Sequence, residues 1–130
     1  MGGSVDRIND AMGNIVDLDI LRPKQVCVRL ADKMIDVSMI PCGITFEIDA
    51  IMRELMKLDP KKAQDGGEDT RKYLDLTIKL CATFASVGHP EMTEEWFRDN
   101  VDSMQLGRMA ELVKDALLRS YEGVRAYGKN

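Results

Sequence analysis

Between Lys24 and Leu58 the apolar positions change their period, and that change marks the first elements. Val26, Val28 and Leu30 alternate with Gln25, Cys27 and Arg29; beyond Asp32-Lys33, Ile35, Val37 and Met39 alternate with Asp36 and Ser38. Period-two alternation on both sides of a short polar break predicts a β-hairpin. A loop of Asp32-Lys33 would pair Leu30 with Ile35, Val28 with Val37 and Val26 with Met39, with all six side chains on one face. Asp-Lys is a poorer two-residue turn than Asp-Gly, because the second position prefers a positive φ. A longer loop or a slipped register therefore stays open. After Pro41-Cys42-Gly43 the period becomes helical: Ile48, Ile51, Met52 and Leu55 form one stripe, with Thr45 placed to cap the first free N–H groups. A two-stranded hairpin is marginal alone in water, so its apolar face needs a helix as lid.

Three more helices are predicted downstream. Asp59 to Asp69 holds Pro60, Gly66-Gly67 and a high density of charge, the composition of an exposed linker. From about Thr70 to Val87, Tyr73, Leu74, Ile78, Cys81, Phe84 and Ala85 share a stripe that Leu76 and Leu80 broaden. A helix apolar over so much of its circumference packs on two sides. Gly88 and Pro90 end it. Thr93 caps a short helix with Glu94 and Glu95 in its first turn and Trp96, Phe97 and Val101 on its buried side. Asp102 or Ser103 caps the last helix, from about Met104 to Tyr121 or beyond, with Leu106, Met109, Ala110, Val113, Ala116, Leu117 and Tyr121 on one face. Leu112 and Leu118 fall off that face, and Glu122 to Asn130, with two glycines, is expected to fray. The fold class is α+β and mostly α-helical, an N-terminal β-hairpin packed against about four helices.

Residues 1–22 are set apart as an N-terminal arm, and residues 23–130 as a single domain. The opening Met-Gly-Gly-Ser resembles a flexible leader or an expression-tag remnant. Val5, Ile8, Met12, Ile15 and Val16 recur at helical spacing, weakened by Gly13, and Leu18, Ile20 and Leu21 alternate with Asp17 and Asp19 as in a brief extended piece. The arm can dock on its own domain, pair with a neighbouring molecule or stay mobile.

Composition narrows the function classes. At 130 residues and 45% apolar, the chain is long enough for a core. No apolar run approaches the roughly 18 residues of a membrane span, and no signal peptide opens the chain, so a soluble protein that stays inside the cell is expected. A net charge of −4 without a basic stretch argues against nucleic acid as main partner. Cys27, Cys42 and Cys81 are odd in number and widely spaced, the pattern of buried free thiols, with Cys27 the most accessible. Nine methionines against three phenylalanines and one tryptophan suit a core, and also a surface that repacks around a partner.

His89 is the single histidine, between a helix-ending glycine and a proline, and reads as part of an exposed turn. No nucleophile–base pair, glycine-rich nucleotide loop or metal-ligand cluster stands out, and Asp17 and Asp19, though spaced as in a DxD metal motif, have no third ligand nearby. The expectation is a binding protein without enzymatic activity, cofactor or metal.

The run Ile35-Asp36-Val37-Ser38-Met39-Ile40-Pro41-Cys42-Gly43-Ile44-Thr45-Phe46-Glu47-Ile48, with Met92-Thr93-Glu94-Glu95-Trp96 and a closing helix, resembles tail assembly chaperones of long-tailed bacteriophages and prophages. The resemblance spans about Arg22 to Tyr121; the first twenty residues match nothing in that family. It implies a small, mostly helical protein that coats the hydrophobic tape measure protein until the tail tube polymerises. Such a protein works in the host bacterial cytoplasm and is absent from the mature virion. It also implies a longer form made by ribosomal frameshifting, reaching the tail tube protein, and Lys129-Asn130 fits an adenine-rich slippery run. Self-association into a homo-oligomer along the client is part of the same expectation. Competing readings are a structural tail component, such as a tube-completion or baseplate subunit, and a small regulatory adaptor. Candidate partner-binding residues are Trp96, Leu112 and Leu118, with Leu106 and Met109 behind them, chosen for apolar character beyond a single stripe.

Overall fold

The computed structural model describes residues 14–58 and 67–128, the last two by backbone alone. Most of the expected helix over Val5 to Val16 and of the Asp59 to Asp69 linker lies outside the described residues; the described end of the former, Ile15 and Val16, is not helical. What is described is α+β and mostly helical: β1 (Cys27–Leu30) and β2 (Lys33–Asp36) form an antiparallel hairpin, followed by α1 (Thr45–Met56), α2 (Glu68–Ala85), α3 (Glu94–Asn100) and α4 (Ser103–Gly128). Among the described residues no helix is long and apolar enough to cross a membrane.

The hairpin turns one residue earlier than the alternation suggested. Val28 pairs with Ile35, Arg29 with Met34 and Leu30 with Lys33, so the loop is Ala31-Asp32. Both loop residues have positive φ, 47° and 65°, as the hairpin-favoured type I′ turn demands. Aspartate tolerates that conformation better than lysine, and this loop spares Lys33 from adopting it. Each β1 residue therefore faces a partner two positions earlier than expected. An even shift leaves the faces unchanged, so Leu30, Ile35 and Val37 still point inward and are buried. The Val37 amide donates to the Val26 carbonyl at 2.8 Å, carrying the pairing one step past the strands.

Beyond the hairpin, Pro41 leads into a 3-10 turn, Cys42–Ile44, that runs directly into α1. Thr45 does not cap this helix. Its hydroxyl donates back to the Pro41 carbonyl at 3.2 Å, because the 3-10 turn makes Thr45 the first helical residue. α2 is the central helix, packed against α1, α3 and α4. It begins at Glu68, and only its second half is buried: Ile78, Leu80, Cys81, Phe84 and Ala85 lie in the core while Tyr73 and Leu74 remain at the surface. Among the described residues, the early turns of α2 thus have no second packing partner of the kind that their apolar content suggested.

Thr93 caps α3, accepting the Trp96 amide at 3.2 Å. α4 opens with a reciprocal cap: the Gln105 amide donates to the Asp102 carboxylate at 2.9 Å, and the Asp102 amide to the Gln105 side chain at 3.1 Å. Its inner face places Leu106, Met109, Val113, Ala116 and Leu117 in the core with Ile48, Met92 and Phe97. Against expectation, the helix continues over Gly123 to Gly128. Once a helix is nucleated each added residue gains a hydrogen bond, and one glycine costs only about 1 kcal/mol.

The arm differs as well. Leu18–Leu21 is a 3-10 helix, not an extended piece, and the Asp17 carboxylate caps it by accepting the Asp19 amide at 3.0 Å. The Arg119 guanidinium donates to the Leu21 carbonyl at 2.7 Å and so ties the base of the arm to α4.

Candidate functional site

Two helices that are distant in sequence meet at a polar contact, and apolar side chains are left standing around it. The Tyr121 hydroxyl on α4 donates to the Asp49 carboxylate on α1, whose second oxygen receives Arg53 Nε at 2.8 Å. Both oxygens of the Asp49 carboxylate thus accept a hydrogen bond. Phe46 lies three residues before Asp49, and Leu118 three residues before Tyr121, so each stands within one helical turn of the contact. Phe46 is 87% exposed and Leu118 50%. Arg119, next to Leu118, brings the exposed Leu21 to the same end of α4. A tied seam carrying Phe46, Leu118 and Leu21 is the candidate partner-binding surface.

The five residues picked from the sequence divide three ways. Leu118 belongs to this surface. Leu106 and Met109 are core residues, 3% and 2% exposed, and offer nothing to a partner of the folded domain. They lie on the same stripe as Val113 and Ala116, which is why they are inside. Trp96 is half-buried, its ring edge-on to Phe97 with centroids 5.1 Å apart. Leu112 is half-buried against the core at the side of a groove between the hairpin and the start of α4. Phe46 was missed, and a signal for it existed. It sits two residues before Ile48, about 200° round the helix from the buried stripe, where an apolar side chain has no core to enter.

A second polar group fastens the hairpin to the turn after α2. Lys33 Nζ lies 2.7 Å from Glu91 Oε2, and His89 Nε2 lies 2.9 Å from the Met34 carbonyl. A carbonyl only accepts, so His89 carries a proton on Nε2. His89 is therefore a strut between elements and not simply part of an exposed turn. The Lys33 ammonium, through its hydrogen bond, holds the Glu91 carboxyl below its usual range. Asp36 is also lowered, first by the Ser38 hydroxyl and then by the Ser38 amide. Asp36 and His89 both border a cavity of about 300 Å³ with Met34, Met39 and Phe84, but their polar atoms are engaged in holding the hairpin.

Of the thiols, Cys81 alone is buried; Cys42 is exposed like Cys27, because it opens the surface 3-10 turn. Burial pushes the Cys81 thiol up to about 12. Among the described residues no group of three or more histidine, cysteine or acidic side chains could hold a metal ion. Asp17 spends its carboxylate on the Asp19 amide. Comparison of the chain with protein-family models, characterised proteins and solved structures returned no match.

Proposed function

We propose that the chain is a phage tail assembly chaperone that binds and solubilises the tape measure protein during tail morphogenesis, by contact and without catalysis. The observation that carries this reading is the tied α1–α4 seam with Phe46 and Leu118 left outside it. Phe46 comes from the segment on which the family resemblance rests, and the neighbours Ile35, Val37, Ile40 and Ile48 all enter the core. An aromatic ring kept at the surface of such a segment fits the apolar face of a client helix, as in other helix-binding proteins. A small contact of this kind is weak singly and effective when repeated along a long client, which also permits displacement by the polymerising tube. On this reading the protein acts in the host cytoplasm, is absent from the virion, and meets the tail tube protein through a longer frameshifted form.

The experiment is co-expression with the long helical protein encoded immediately downstream, followed by pull-down and sizing. The reading predicts a soluble complex with several copies per client, where the client alone aggregates. A client that stays insoluble while this protein runs alone contradicts it. Recovery of the protein from purified virions would favour a structural tail component.

A further inference from the structure

The hairpin has two outer edges, and the described residues cover only one of them. The Val37 amide donates to the Val26 carbonyl, which makes Val26 and Val37 a hydrogen-bonded pair. Such pairs alternate along an antiparallel ladder, so Val28–Ile35 and Leu30–Lys33 are bonded too. The N–H and C=O groups of Cys27, Arg29, Met34 and Asp36 therefore turn outward. On β2 the turn after α2 closes the edge: His89 Nε2 takes the Met34 carbonyl at 2.9 Å, and Glu91 holds Lys33 beside it. On β1 the outward amides and carbonyls of Cys27 and Arg29 have no partner among the described residues, and both residues are exposed. An uncovered edge of this kind is a template for one more strand.

Beside this edge lies a groove of about 490 Å³, between β1 and the start of α4. Leu30 and Met109 are shut beneath it, 5% and 2% exposed, so its usable walls are the half-buried Val28 and Leu112 and the exposed Met104. Arg108 lines it as well, and the Arg29 side chain, alternating with Val28, stands on the solvent face. Each guanidinium has one acidic neighbour, Asp32 at 3.3 Å and Glu111 at 3.2 Å, in exposed pairs that are worth little and exchange readily for new partners. We propose that the β1 edge takes an extended segment of a partner protein as a third strand, with apolar side chains alternating with acidic ones. Cys27 and Arg29 pair with its backbone, its apolar side chains enter the groove against Val28, Met104 and Leu112, and its acids face Arg29. A basic residue in place of those acids meets like charge, which selects the acidic strand. This edge is a different surface from the α1–α4 seam, since Met104 and Leu118 lie about 21 Å apart along α4. Neither contact depends on the other.

The probe is a blocked heptapeptide of alternating valine and aspartate, added to the isotope-labelled full chain and read by amide resonances and hydrogen exchange. The Cys27 and Arg29 amides should exchange rapidly in the free chain and at least about tenfold more slowly with saturating peptide. The Val28 amide, already bonded within the hairpin, should change little. Arg29→Glu should weaken binding at least about fivefold. Cys27→Pro removes one outward donor and no hairpin bond, so it should weaken binding in a folded chain. Should that variant unfold, a fully N-methylated peptide removes the same bonds from the other side and should not bind; nor should the peptide with lysine for aspartate. No binding at about 1 mM peptide, equal binding of the lysine or N-methylated peptide, or perturbation confined to residues away from β1 would each overturn the proposal. So would Cys27 and Arg29 amides that are protected before peptide is added. Protection at every concentration would give the edge to the chain itself, and protection that rises with concentration to a second copy.

Discussion

Cys81 and Cys27 place one side-chain chemistry in opposite settings. Cys81 lies between α2 and α4 with its sulfur 3.8 Å from the Leu106 carbonyl, and its raised pKa keeps it a thiol at neutral pH. Cys27 and Cys42 face solvent. A chromogenic thiol reagent at pH 8 should therefore titrate two thiols rapidly in the native protein and the third only after denaturation. Three rapid equivalents would mean that the seam between α2 and α4 opens. Ser38 is the other residue whose chemistry can be isolated. Its hydroxyl accepts the Val26 amide at 2.7 Å and donates to Asp36 at 2.5 Å, so one side chain closes the open end of the hairpin. Ser38→Ala should lower stability at pH 7 by about 1 kcal/mol in urea titration, the net value of such a bond. The Asp36 contribution has a definite sign. Its folded pKa is depressed, so the stabilisation is present above the ordinary carboxylate range and is lost as the pH falls through the lowered value. Ser38→Ala should reduce that acid sensitivity along with the bond, the backbone amide at position 38 still donating to Asp36; an unchanged urea midpoint would show that the hairpin closes without the Ser38 hydroxyl.

At the scale of elements, the turn between the strands is the place where sequence and conformation disagree. Ala31 holds a φ of 47°, which a residue with a Cβ adopts at a cost. Replacing Ala31-Asp32 by Asn-Gly supplies the residues that a type I′ turn prefers. The double variant should be more stable by roughly 1 kcal/mol, seen as a melting temperature higher by about 4 °C. The loss of the Arg29–Asp32 pair subtracts little, since both side chains are largely in solvent. A lower melting temperature would mean that the turn is not type I′. The same turn explains what the sequence could and could not convey. Helical stripes such as Ile48-Ile51-Met52-Leu55 were legible because burial repeats them every third or fourth residue. The strand faces were legible for a similar reason, but the register was not, because a shift by two preserves every face. The length of α4 was hidden by Gly123, a local penalty that a long helix absorbs. The capping of Asp102 by Gln105 left a local mark, whereas Thr45 misled because the 3-10 turn ahead of it was unforeseen.

For the whole molecule, the division that matters is between apolar residues that the core takes and those it leaves. Leu106 and Met109, the weaker candidates for partner contact, are core; Phe46, not among the candidates, is among the most exposed large apolar residues described. What joins Phe46 to Leu118 is the Asp49–Tyr121 contact, between residues 72 positions apart, and no periodicity in a sequence reports such a distance. On the proposed function, this outer surface, not the core stripe, holds the client. That contact is tested most directly by a light-scattering assay of client aggregation, run with the wild type and with Phe46→Asp/Leu118→Asp at equal concentration. Both side chains are at least half exposed, so the variant should keep its circular dichroism and its melt. The wild type should suppress aggregation, and the folded double variant should lose at least about tenfold in potency. A folded variant that protects the client as well as the wild type would contradict that contact.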